Sequence, residues 1–294
     1  MIITRDATTY RNLQSNLSST STTINELYVK ASTGVEVAKA SENPSAVDSI
    51  LSCRSEIVKS ERYVENCKNV QDNLTTSEIY LDSIEELMVR AKEIAITGAN
   101  DSLSAADRAT LADEVSQLQQ ELLDLANTQV DGKYLFAGYA DQSQPFTDNG
   151  TTIDYNGTSD HIMLEINPGS TVAKNITGEE LFMSPVNLFT TLDDLHTALA
   201  SGSSTNVSAT LTSLEDAADQ VRSQLSTLGN TSARMDDMIS MHESAQLVLE
   251  STLSSHQDVD LTQVLSEIAK METALEATMQ VTARISSLSL LDYL

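Results

Sequence analysis

Over most of this 294-residue chain apolar side chains recur every third or fourth position. That spacing lines them up on one face of an α-helix. The first stripe runs Tyr10, Leu13, Leu17, Thr20, Ile24, Leu27 and Ala31 and breaks at Thr33-Gly34. A second begins after Pro44 and is regular from Tyr63 through Cys67, Val70, Leu74, Ser77, Leu81, Ile84, Met88, Ala91 and Ala95. Its alternation of four and three is a heptad seam and predicts one long helix ending at Gly98. Ser104 and Asp107 stand at capping-box spacing before a third stripe of Leu111, Val115, Leu118, Leu122 and Leu125. The short connection predicts that this helix folds back antiparallel on the second.

The pattern then changes. TQVDGKYLFAGYADQSQPFT (128–147) crowds Tyr134, Phe136, Tyr139 and Phe146 among Gly132, Gly138 and Pro145. Short alternating runs follow around Asn156-Gly157 and Pro168-Gly169, both hairpin-turn dipeptides, so residues 132–184 read as about four to six strands. Helices resume near Val186, with Thr191 and Asp194 at cap spacing. A loop is expected at 201–205, then a long helix from Val207 to about Ser255, in which Gly229-Asn230 marks a break or none. Asp260 and Gln263 sit at N-cap and N3 of a last seam of Leu261, Val264, Ile268, Met271, Leu275, Thr278, Thr282 and Ile285.

This layout predicts a mainly α fold. A long antiparallel helical bundle or coiled-coil stem is formed by the N- and C-terminal segments, and a small inserted β-rich domain makes the class α+β overall. The expected division is 1–44 with 256–294 as a terminal coiled-coil domain, 45–131 with 185–255 as a helical stem, and 132–184 as the β-rich insert. The outermost seams lie at the chain ends, where nothing local covers them, and are expected to find burial against each other and against neighbouring copies.

Charge narrows the partners. The chain carries 17 Lys and Arg against 43 Asp and Glu, a formal −26, which repels phosphate backbones and anionic membrane surfaces, so neither nucleic acid nor membrane is an expected partner. No run approaches the length of a membrane span, and no cleaved apolar signal is visible at the start. Aromatics are 4% and Trp is absent, as suits helices buried along a narrow stripe. Cys53 and Cys67 read as two small buried side chains, with no disulfide framework. His161, His196, His242 and His256 have no partners at metal-ligand spacing, no nucleotide-loop or nucleophile motif occurs, and 148–157 lacks the order of a calcium loop. With so many acids, chance carboxylate pairs are expected. No catalytic residue, metal or cofactor is assigned.

Three motifs carry a resemblance. ASTGVEVAKASENPSAV (31–47) resembles the N-terminal signature of the bacterial flagellins and their junction relatives: Ser32, Thr33 and Gly34 match its first turn, and Glu42, Asn43 and Pro44 its second. Val35 stands where a basic residue is usual, and Asn43 where Asp is common. DGKYLFAG (131–138) and the closing LEATMQVTARISSLSLLDYL (275–294) look like the branch of that family at the hook–filament junction, whereas flagellin more often ends in a Leu-Leu-X tail without Asp-Tyr-Leu. The resemblance implies a non-catalytic structural subunit of the bacterial flagellum. It implies a ring of copies joining the first hook-associated protein to flagellin, with a flagellar export chaperone and the type III export apparatus as further partners. Secretion would need no cleaved signal, and no cofactor is implied. The implied assembly interface uses Tyr10, Leu13, Leu17, Ile24 and Leu27 with Leu261, Val264, Ile268, Met271, Leu275, Ile285, Leu288, Leu291, Tyr293 and Leu294. Two rival readings are flagellin itself and a soluble helical adaptor protein.

Overall fold

The computed structural model describes residues 2–37, 39, 43–150 and 152–291, with backbone only for 2–7, 9 and 285–291. Six long helices carry the described chain: α1 (Ile2–Thr33), α2 (Pro44–Gly98), α3 (Ala105–Ala126), α4 (Leu188–Ala200), α5 (Ser204–Gln257) and α6 (Leu261–Leu291). Between α3 and α4 lie β1 (Gln129–Val130), β2 (Lys133–Tyr134), β3 (Phe146–Asp148), β4 (Ile153–Tyr155), β5 (Met163–Asn167), β6 (Ser170–Ala173) and a π-helical turn, Glu179–Met183. The class is therefore mainly α with a small β part. Contacts gather the chain into two compact units, Met1–Lys59 with Ala245–Leu294 and Ser60–Ser244.

In the Ser60–Ser244 unit the seam of α2 is buried along its length: Cys67, Val70, Leu81, Ile84, Met88, Ala91 and Ala95 are inaccessible to solvent. Ser77 occupies one seam position at little cost because its hydroxyl donates to the Asn73 carbonyl at 2.9 Å. α5 runs antiparallel to α2, as three polar ties show in reverse order along the two helices. Gln71 bonds Asp236 at 2.7 Å, Glu85 bonds Arg222 at 2.8 Å and Lys92 bonds Glu215 at 2.9 Å. Leu214, Ala217, Ala218, Val221 and Met235 fill the α5 side of the core. The helix does not break at Gly229-Asn230. A helical Gly costs about 1 kcal/mol relative to Ala, and the packing of Leu228 and Met235 on either side of it outweighs that.

α3 starts as its sequence predicts. The Ser104 hydroxyl accepts the Asp107 N–H at 3.1 Å and donates to the Asp107 carboxylate at 2.7 Å. It returns antiparallel along α2, with Arg108 against Gly98 and Arg90 against Glu114. Arg108 is buried, and its guanidinium donates to three carbonyls, Gly98 at 2.8 Å, Asn100 at 2.7 Å and Gly202 at 3.0 Å. One cation thus closes the C-terminus of α2 and fastens the loop before α5, where orphaned carbonyls would otherwise be left.

The β segments form three two-stranded antiparallel ribbons, β1–β2, β3–β4 and β5–β6. Pro168-Gly169 makes the β5–β6 turn as expected, with Asn167 opposite Ser170. Asn156-Gly157 does not make a hairpin, a correction to the sequence reading. β4 pairs backward with β3, and the chain after it returns to the segment following β2, where Thr158 N–H bonds the Ala137 carbonyl at 3.0 Å and the Tyr155 hydroxyl bonds the Phe136 carbonyl at 3.0 Å. Gly138 has φ +65°, and a Cβ there would collide with the Thr158 carbonyl. The cap of α4 is also corrected: Asn187 accepts the Thr190 N–H at 3.0 Å, while Thr191 is buried inside the helix.

All four phenylalanines of the chain meet here. Phe182 of the π-helical turn lies 5.3 Å from Phe136, 5.1 Å from Phe146 and 5.7 Å from Phe189, centroid to centroid. They belong to the same hydrophobic core as the α2, α3 and α5 seams. Cys53 and Cys67 are free and buried, and burial pushes the Cys67 thiol up from its ordinary pKa.

Replacing Arg108 by Ala leaves three carbonyls without their donor. It is expected to destabilise the fold by about 3 kcal/mol or more, since hydrogen bonds to a charged donor contribute roughly 1.5–3 kcal/mol each. Urea unfolding followed by circular dichroism measures this, and a loss below about 1 kcal/mol would show that water replaces the guanidinium without cost.

Candidate assembly interface

The Met1–Lys59 and Ala245–Leu294 unit is built on two terminal helices that run antiparallel. Leu27 of α1 packs with Val264 and Ile268 of α6, and Ala31 and Val259 close the cluster. Ile24, one turn back on α1, is buried as well. The Tyr28 hydroxyl donates to Glu272 Oε1 at 2.5 Å, and that bond together with the carboxylate charge pushes the phenol up from its ordinary pKa.

The residues expected from the sequence are thus distributed unevenly. Ile24, Leu27, Val264 and Ile268 are buried between the helices, and Leu13, Leu17 and Leu275 are half-buried. Tyr10 (51%), Leu261 (49%) and Met271 remain exposed. The side chains of Ile285, Leu288 and Leu291, and all of Tyr293 and Leu294, lie outside the described residues. Exposed apolar side chains continue along α6 with Leu265, Met279 and Val281. So α6 carries apolar side chains that α1 leaves exposed, Leu261 and Met271 on the seam itself, Leu265 and Met279 on one flank of it and Val281 on the other.

The turn motifs are built from local bonds. Thr33 and Ser32 donate their hydroxyls to the Val29 carbonyl at 2.8 and 3.1 Å, and Gly34, at φ +73°, ends α1 with its N–H on the Lys30 carbonyl at 2.9 Å. Asn43 caps α2, its side chain accepting the Ala46 N–H at 3.1 Å, and Pro44 takes the first helical position. Glu42 lies outside the described residues. Asp260 caps α6 through the N–H groups of Thr262 and Gln263 at 2.9 and 3.1 Å. Gln263 does not reach back to the cap; its amide bonds Glu267 at 3.3 Å instead.

Two interactions were not legible in the sequence. The first turn pairs with the α5–α6 connection through Gln257 and Val259, and Arg54 of α2 donates to the Gln257 side chain at 2.8 Å. A polar pair some two hundred positions apart leaves no periodic signal.

Two family models match this architecture. The bacterial flagellin N-terminal helical region matches residues 6–141 and the bacterial flagellin C-terminal helical region matches 211–294. The chain belongs to the bacterial flagellin family. Among its relatives, flagellar hook-associated protein 3 of Escherichia coli is 25% identical over 284 residues, covering 88% of this chain and 89% of that protein. A flagellin of Halalkalibacterium halodurans is 22% identical over 260 residues, 87% of this chain and 85% of that one. The fold is shared with the structure of a putative flagellar hook-associated protein from Vibrio parahaemolyticus, which gives a TM-score of 0.67 at 23% identity over 74% of this chain and all of that one. The matched N-terminal region reaches through β2 and the DGKYLFAG stretch, while 142–210, which holds most of the ribbons and α4, lies between the two flagellin models.

Ile268→Asp places a charge in the α1–α6 cluster. The variant is expected to lose helical signal from the terminal helices while the Ser60–Ser244 unit melts at an unchanged temperature. Circular dichroism with calorimetry separates the two. A fall in the main melting transition would mean that the terminal pair supports the rest of the fold.

Proposed function

We propose that this flagellin-family chain is a non-catalytic structural subunit of the bacterial flagellum, placed between the hook and the flagellin filament. The observation that carries the reading is the set of apolar side chains that α1 leaves exposed on α6, Leu261 and Met271 on the seam and Leu265, Met279 and Val281 on its two flanks. Fully burying such side chains contributes roughly 1.5–3 kcal/mol each, which is available only when further helices arrive. Other copies of the chain supply those helices in a ring. The first hook-associated protein meets one face of the ring and flagellin the other. The higher identity to hook-associated protein 3 than to the flagellin over a similar span, 25% against 22%, supports the junction over the filament as its place.

Reaching that place requires passage through the type III export apparatus, with a chaperone covering these exposed apolar side chains beforehand. Helices joined by short connections apart from the strand-bearing segment between α3 and α4, without disulfides among the described residues, suit a chain that is threaded and refolds at its destination. The acidic excess keeps the exposed parts hydrated.

In a bacterium deleted for its own hook-associated protein 3, this chain is expected to restore filaments on hooks, and its Leu275→Asp variant to fail although it folds. Purified chain added to flagellar seeds is expected not to extend them into long filaments. Long filaments would identify a filament subunit, and failure of the unaltered chain to restore any filament, with wild-type secretion, would remove the junction reading.

A further inference from the structure

The two connections that lead into the terminal helices are hydrogen-bonded to each other. The Gly34 carbonyl at the end of α1 accepts the Val259 N–H at 3.0 Å, and the Glu36 N–H donates to the Gln257 carbonyl at 2.8 Å. Val35 and Asp258 therefore face each other in an isolated antiparallel bridge. The two bonds flank this pair and do not join it, so it is the closely spaced kind in which the side chains approach most nearly.

Each half of the bridge is fixed from its own side. On the α1 side, Gly34 takes a left-handed conformation with its N–H on Lys30, and the Lys30 ammonium pairs with Glu36 at 2.6 Å. On the other side, Asp258 N–H bonds the Ser254 carbonyl at 2.9 Å, the Ser254 hydroxyl bonds the Asp258 carboxylate at 2.6 Å, and Arg54 holds Gln257. Asp260, two residues on, caps α6. Val259 belongs to both systems: its N–H is in the bridge and its side chain packs against the Leu27, Val264 and Ile268 cluster.

We infer that this bridge is a register clasp: it sets which residue of α1 faces which residue of α6, and it stays closed when the chain joins an assembly. A heptad seam alone does not do this, because a slide by seven residues restores an apolar match. The α1 stripe, with Thr20 and Ala31 among its positions, discriminates poorly between such registers. The backbone bridge adds a fixed point at the root of the pair. Slippage by one heptad would break both of its bonds and pull Val259 away from the Leu27, Val264 and Ile268 cluster. The far part of the pair, toward Tyr10 and Met279, is then free to repack on neighbouring helices while the root keeps its alignment.

The statement about the free chain stands by itself; only the statement about assembly rests on the proposed function. The full chain with Val35→Cys and Asp258→Cys, in a Cys53→Ala and Cys67→Ala background, is treated with a mild thiol oxidant. An intramolecular disulfide is expected, formed at least about tenfold faster than in a control pairing Val35→Cys with Leu261→Cys, since disulfides need closely apposed Cβ atoms. Hydrogen exchange of the unaltered chain should protect the Glu36 and Val259 amides. Equal cross-linking rates, or fast exchange at both amides, would overturn the clasp whatever the protein does. The cross-linked chain is then supplied to hooks prepared without junction protein and compared with the same chain after reduction. Equal incorporation supports a clasp that stays closed. Incorporation only after reduction would show that it must open, and overturns that half. Incorporation in neither state, with the unaltered chain also failing, would count against the junction reading and leave the clasp in the free chain standing.

Discussion

Everything in the Ser60–Ser244 unit depends on one seam, the line of apolar positions along α2 from Tyr63 to Ala95. A helix buries a face only if another surface is there to receive it, and this seam is long enough that no single neighbour suffices. α5 receives it along the polar ties from Gln71 to Lys92, α3 folds back beside it, and the phenylalanine cluster with the ribbons shares the same core. Small residues on the seam, Ala91 and Ala95, let neighbours approach closely near Gly98, where Leu199 and Val207 come in. The ribbons are too short to stand alone, since isolated two-stranded pairs are marginal in water, and they hold because their apolar residues finish a helical core.

Charge plays a different part. With 43 acids and 17 bases the chain cannot neutralise itself, and its cations are used where geometry gives them leverage. Arg108 serves three carbonyls, Arg222 bridges Glu85 and Asp219, and Arg90 bridges Glu93 and Glu114. The last two are exposed ion pairs and contribute little to stability. Arg108 alone among these is buried, and its partners are backbone oxygens, so its contribution does not depend on a titrating group.

Helices and their ends were the most legible part of the sequence, because periodicity and caps are local. Ser104, Asn43-Pro44 and Asp260 mark helix starts by chemistry acting within one turn. The flagellin-family signature at Ser32-Thr33-Gly34 and the DGKYLFAG stretch were legible as motifs. The errors came where a local signal competed with a distant partner. Asn156-Gly157 has hairpin composition, yet Tyr155 is tied by its hydroxyl to the segment after β2, and the chain follows that bond. Thr191 has cap spacing, but Asn187 stands one turn earlier and is the better acceptor. Gly229 resembles a break only while the packing of Leu228 and Met235 is unknown. Arg108 and the pairing of Gly34 with Val259 left no sequence trace, since each joins backbone groups far apart in the chain.

The antiparallel run of α2 and α5 also sets how much chain entropy each of its contacts loses on closing. Gly98 and Arg108 are ten positions apart, so the α2–α3 turn closes a small loop and loses little chain entropy. Glu85 and Arg222 are separated by 137 positions, and Ser60 and His242 by 182, so those contacts close longer loops at a greater cost in chain entropy. Closing the α2–α3 corner therefore loses the least chain entropy of these contacts, and bringing Ser60 to His242 loses the most. A chain built this way places its entropically most costly contacts nearest its two ends.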